Sequence, residues 1–185
     1  SIPSPNAEPF KLWLARVGYE RLEETADPEL TINRALKTYL QKGYSQDWVN
    51  QRLKSIEIRK ALTDEWEKRG VKQGLEFAIL TDEITTAWTG MTTKEYRKYK
   101  SLKKENLRDN MTNLELVLNM LAETATTEIS EKREPKNLDE NKVVAREGGG
   151  VAGGARKDIE AKTGKSVITS KNAKILRVKD TERLE

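Results

Sequence analysis

Apolar residues return at intervals of three and four along most of this chain, the spacing of helices with one buried face. Phe10, Trp13, Leu14, Val17 and Leu22 form such a stripe and predict a first helix over about 10–25. Asp27 and Pro28 then restart the chain as N-cap and first helical residue, and Leu36, Tyr39 and Leu40 carry a second helix to Gly43, placed as its C′ glycine. Ser45 caps a third helix that should bury Trp48, Val49, the stem of Arg52, Leu53 and Ile56. Its pattern continues through Leu62 and Trp66 to Gly70, with a break expected near Ser55. GLEFAILTDEITTAWTG gives a fourth helix ending at Gly90, and MTTKEYRKYKSLKKENL a fifth, capped by Thr92 or Thr93. Thr112 starts a long sixth helix carrying Leu114, Leu116, Val117, Leu118, Met120, Leu121 and Ile129, which stops before Pro135.

The last predicted helix covers about 138–162, with Val144, Gly148, Val151, Ala152, Ala155 and Ile159 at helical spacing. Five glycines between 148 and 154 lower helix propensity by about 1 kcal/mol each relative to alanine. The alternatives are a hinge, or small residues that admit a neighbouring helix at close range; the reading here is a helix held by packing. No alternating apolar run exceeds SVITS. The expected fold is therefore all-α, a multi-helix bundle with a long, aromatic-poor C-terminal helical arm.

Aromatic residues sharpen this division: all eleven precede position 100, so the compact core is expected over 10–100. Residues 101–162 would supply the long helices as an oligomerisation arm, and 163–185 a tail. The opening SIPSPNAEP holds three of the five prolines and reads as an extended linker over 1–9.

Charged residues are 35% of the chain and the net charge is +4, an excess too mild to name a partner alone. The absence of cysteine and histidine excludes disulfides, thiolate nucleophiles, Cys/His zinc sites and imidazole bases. No apolar run approaches the roughly 20 residues of a membrane span. The expectation is a cytoplasmic protein that is not an enzyme and uses no cofactor or metal.

Four motifs bear on chemistry. Gly164-Lys165-Ser166 resembles the end of a phosphate loop, but the first glycine of that loop would fall at Ile159, so Gly164 reads as a helix stop. GGGVAGG has no strand before it, as a dinucleotide-binding turn requires. LTDE occurs at 62–65 and again at 80–83; Asp64, Glu65, Asp82 and Glu83 could gather a metal ion, yet adjacent acids diverge by about 100° on a helix. The densest charge lies in KEYRKYKSLKKENLR, where Lys94, Arg97, Lys98, Lys100, Lys103, Lys104 and Arg108 are the candidate nucleic-acid-binding residues. Of these, Lys94, Arg97, Lys98, Lys104 and Arg108 approximate one face of a continuous helix. Tyr96 and Tyr99 lie nearby as stacking groups, the alternative being that they pack on the core. A second basic stretch runs from Lys171 to Lys179.

The segments AEPFKLWLARVGYERLEETADPEL, LTDEWEKRGV, KKENLRDNMTNLELVLNMLAETATTEIS and ARKDIEAKTGKSVITSKNA resemble the C-terminal region of the DNA-damage-inducible protein D family. The same region occurs in BRO-family prophage antirepressors, and the resemblance spans about 7–173. It implies a BRO-type DNA-binding domain ahead of this region, and a regulatory or interaction role exercised through protein partners and, as a second candidate, DNA. It carries over no catalytic residue. The apolar stripe 114–121 further suggests a partner helix, most simply from a homodimer.

Overall fold

The computed structural model describes residues 7–173. Among them are seven α-helices and no strand: α1 (Ala7–Ala26), α2 (Glu29–Gln41), α3 (Gln46–Lys68), α4 (Leu75–Thr89), α5 (Thr93–Tyr99), α6 (Asn113–Arg133) and α7 (Leu138–Thr163). The chain divides into two compact units, residues 1–43 and 44–185.

In the first unit α2 starts at Glu29 with Pro28 in the cap position, one residue later than the Asp-Pro pair predicts, and the Asp27 carboxylate accepts the Glu29 N–H at 3.1 Å. Glu24, the one buried residue of α1, receives Arg34 from α2 and Arg21 from its own helix. The α1 stripe is exposed at Phe10, Trp13, Leu14, Val17 and Leu22, with the Phe10 and Trp13 rings stacked 5.8 Å apart. Within this unit α2 alone does not cover the stripe.

The second unit holds the core. Here α7 packs on both α4 and α6, and α6 also packs on α3. The long helices expected as an arm are therefore two of the core elements. Trp66, Trp88, Leu62, Leu80, Leu116 and Ala152 are fully buried among them. Helix α3 runs unbroken through Ser55, whose hydroxyl donates to the Arg52 carbonyl and accepts from its guanidinium. Trp48, Val49 and Arg52 are buried as expected, whereas Leu53 is half-buried and Ile56 exposed.

Close approach by α7 explains its glycines. A β-carbon at Gly149 would stand 2.6 Å from the Ile84 carbonyl oxygen of α4, and one at Gly148 would stand 2.1 Å from Thr126 Oγ1 of α6. These positions are packed on two sides, so the helix is held by contact, and no hinge forms within Leu138–Thr163. Leu116, Leu118 and Met120 are buried by that packing; Leu114, Val117 and Leu121 remain exposed as the residue of the stripe expected to seek a partner helix.

Gly164 ends α7 in the left-handed conformation, with its N–H on the Glu160 carbonyl at 2.8 Å. It is a helix stop, as its sequence context predicts. Beyond it, residues 164–171 are anchored, contrary to a loose tail beginning at 163. Val167 and Ile168 are buried, and the Glu160 carboxylate accepts the Val167 N–H at 2.9 Å. Burial pushes the Glu160 carboxyl up, but Val167, Arg156 and Ser166 together hold it below its ordinary value. The basic stretch ending at Lys179 lies outside the described residues from position 174 onward.

Candidate functional site

Helix α5 begins with a capping box: Thr92 Oγ1 accepts the Glu95 N–H, and the Glu95 carboxylate accepts the Thr92 N–H at 2.8 Å. Of the two threonines offered by the sequence, Thr92 is thus the cap. Seven residues later the helix stops, and the expected continuous basic helix does not form. Ser101 adopts φ +56°, the Ser101 N–H reaches the Lys98 carbonyl, and the Leu102 N–H reaches the Arg97 carbonyl, each at 2.9 Å. This is a Schellman turn built on serine. Without a glycine to mark it, the turn has no sequence signal, and it forms because Lys100 and Tyr96 are drawn into the core.

Lys100 is buried completely. Its Nζ lies 2.8 Å from Glu115 Oε2 and donates to the carbonyls of Thr169 and Lys171 at 3.0 and 2.8 Å. Burial lowers the Lys100 pKa, and Glu115 opposes the shift. Glu115 also accepts the N–H groups of Thr112 and Thr169, so one pair joins the start of α6 to segment 164–171. Tyr96, also buried, meets Trp88 edge-on at 6.0 Å, and is a core residue. Tyr99 is exposed.

Turning at Ser101 brings the chain back beside α5, and the two border a shallow, open cleft of about 1180 Å³. Helix α4 supplies Phe77, Ala78, Ile79, Thr81 and Asp82 to it; α5 supplies Thr93, Lys94, Arg97 and Lys98; Leu102 and Lys103 come from the turn. Arg97 donates to the Lys103 carbonyl at 3.0 Å, and the Glu105 carboxylate accepts the Lys103 and Lys104 N–H groups, fixing the returning strand of chain. Its own N–H, with those of Lys103 and Lys104, holds the Glu105 carboxyl below its usual range.

Arg59 of α3 reaches the cleft from beneath. Its guanidinium lies 4.9 Å from the Trp66 ring centroid, donates to Thr81 Oγ1 at 2.7 Å, and stands 3.5 Å from Glu123 Oε1. Burial brings its pKa down to about 10, with Glu123 working against the shift and Arg108 adding to it, so Arg59 stays charged at neutral pH. No sequence motif marks Arg59. Its signal was position: Arg52, Arg59 and Trp66 recur every seven residues on the stripe that α3 buries.

The seven predicted basic residues therefore separate. Lys94, Arg97, Lys98 and Lys103 line the cleft together with Arg59. Lys104 is exposed and is not among the lining residues. Arg108 turns inward to the buried Glu123, and Lys100 is a core ion. Against five cations, Asp82 is the one acid among the lining residues described, and its Oδ1 already accepts the Thr93 N–H at 2.6 Å.

The LTDE quartets serve structure. Asp64 pairs with Lys60 at 2.7 Å, Glu65 with Arg69 at 2.6 Å and with Ser130, and Glu83 with Arg146 at 2.9 Å. Among the described residues no group of three acids, histidines or cysteines could hold a metal ion. None of the described helices is long and apolar enough to cross a membrane.

One family model, that of the DinD C-terminal domain, matches residues 45–171, nearly the whole of the second unit described here. No curated protein and no solved structure matches the chain.

Proposed function

The chain belongs to the DinD C-terminal domain family, and from that premise we propose that it is a non-enzymatic binding module of a DNA-damage-response protein, holding nucleic acid in the cleft between α4 and α5. The observation that carries this reading is the charge of the cleft: Lys94, Arg97, Lys98 and Lys103 against the single engaged carboxylate of Asp82, with Arg59 beneath them paired to Glu123. Such a concentration of like charge costs the free protein repulsion, and a polyanion relieves it while releasing condensed counterions. Among the lining residues described, Asp82 is held by the Thr93 N–H, and no nucleophile with an activating base stands out. The other acids of the LTDE quartets, Asp64, Glu65 and Glu83, pair with basic residues.

The test is binding of a fluorescent oligonucleotide followed by anisotropy over a salt series. Four rim cations predict a slope of log K against log salt of roughly −3 to −4. Reversal of Lys98 and Lys103 to glutamate should weaken binding about tenfold or more. Lys104→Glu, one residue away but outside the cleft, should cost much less. Equal effects of Lys103→Glu and Lys104→Glu would assign the binding to diffuse surface charge and defeat the proposal.

A further inference from the structure

The cleft has a floor as well as a rim, and the two differ in chemistry. Its exposed cations come from α5 and the turn that follows, with Arg59 of α3 beneath, while Phe77, Ala78, Ile79 and Leu102 give it apolar surface. We infer that the cleft takes single-stranded nucleic acid, with unpaired bases against Phe77 and Leu102 and the sugar-phosphate backbone along Lys94, Lys98 and Lys103. This rests on the reading of the cleft as a nucleic-acid site and specifies which form of nucleic acid it accepts.

Shape argues for the single strand. A duplex presents its phosphates on a convex cylinder and keeps base faces stacked inside, so proteins read it by inserting a helix or ribbon into a groove. Here the arrangement is inverted: the cations line a concavity, and α5 is only seven residues long. A duplex would set its phosphates against the cations but has no free base face to lay on Phe77 and Leu102. An unpaired strand is thin enough to enter, and each of its bases carries an apolar face. The cleft is open along its length rather than closed around a single small molecule, so an extended strand can lie in it.

Phe77 is placed for the stacking role. Its ring is half-buried, lines the cleft, and leans on Trp66 with centroids 5.3 Å apart and planes at 60°. Trp66 is itself wholly buried and has Arg59 over its ring, so the platform beneath Phe77 is rigid. An aromatic ring on a fixed base beside a row of cations is the combination that sequence-tolerant single-strand binders use.

The experiment compares four fluorescent probes on the full chain at one salt concentration: an oligothymidylate, an abasic strand of the same length, a paired duplex and a polyglutamate peptide. The oligothymidylate should bind at least about tenfold tighter than the other three. Phe77→Leu, which keeps apolar volume against Trp66 but removes the ring, should lower oligothymidylate affinity about tenfold and leave the abasic strand unchanged; Phe77→Tyr should retain binding. If Phe77→Leu fails to fold by circular dichroism, the comparison of oligothymidylate with the abasic strand decides alone. Equal affinity for the duplex or the abasic strand overturns the single-strand inference while leaving a nucleic-acid site standing. Preference for polyglutamate, or no binding of any probe, overturns both.

Discussion

Lys100 and Lys103 stand three positions apart in one basic run and do opposite things. Lys103 is exposed at the rim of a cleft, whereas Lys100 is sealed against Glu115 with no exposed side-chain surface. Removing one partner of a buried pair strands the other charge, so Lys100→Met should destabilise the fold by about 3–5 kcal/mol in urea unfolding. Pairing it with Glu115→Leu should recover part of that loss. Recovery is partial because Glu115 also accepts the N–H groups of Thr112 and Thr169. A neutral result for Lys100→Met would mean that the lysine lives at the surface. A linear pattern cannot make this distinction. The run reads as one solvated face because a lysine's fate depends on the carboxylate it meets, and Glu115 lies fifteen residues downstream. Arg59 was hidden for the same reason: its partners Thr81, Glu123 and Trp66 come from three helices.

Helices were legible wherever a local cap marks them. Ser45 accepts the Trp48 N–H, Thr112 forms a capping box with Glu115, and Asn137 accepts the Glu140 N–H, so α3, α6 and α7 begin where side chains dictate. The end of α5 was not legible, since a serine took the left-handed position that glycine usually announces. In α7 two physical terms compete. Alanine at Gly150 or Gly154 meets open space and should raise stability by up to about 1 kcal/mol through helix propensity. Alanine at Gly149 gains the same propensity, yet its β-carbon would come within 2.6 Å of α4 backbone, and overpacking costs about 1–3 kcal/mol. Thermal melts of Gly149→Ala and Gly150→Ala should therefore shift in opposite directions. If both rise, α4 and α7 are further apart than described.

The matched family region starts at residue 45 and the second compact unit at 44, so sequence kinship and physical compactness mark the same boundary. The cleft, the Lys100–Glu115 pair and segment 164–171 all belong to that unit. A chain beginning at Tyr44 should accordingly keep a cooperative unfolding transition by circular dichroism and the oligonucleotide affinity of the full chain within about twofold, since the core and the cleft are both built from residues of the second unit. Loss of cooperativity would show that residues 1–43 complete the core. The aromatic count pointed instead to a core over 10–100. It failed because aromatic content measures how much surface a segment could bury, while α1 carries Phe10 and Trp13 exposed. The aromatic-poor α6 and α7 enter the core through leucine, alanine and glycine, which let backbones come close.

By itself the sequence determined the helical class, most helix boundaries, the exclusion of imidazole and thiol chemistry, and the family to which the chain belongs, because periodicity, caps and composition act over a few residues at a time. Tertiary structure alone decided which cations face solvent and which are consumed in the core, where the basic helix turns back, and that Arg59 joins the cleft. Those outcomes depend on which charges meet across helices far apart in the chain, and burial makes each meeting too strong to leave to local preference.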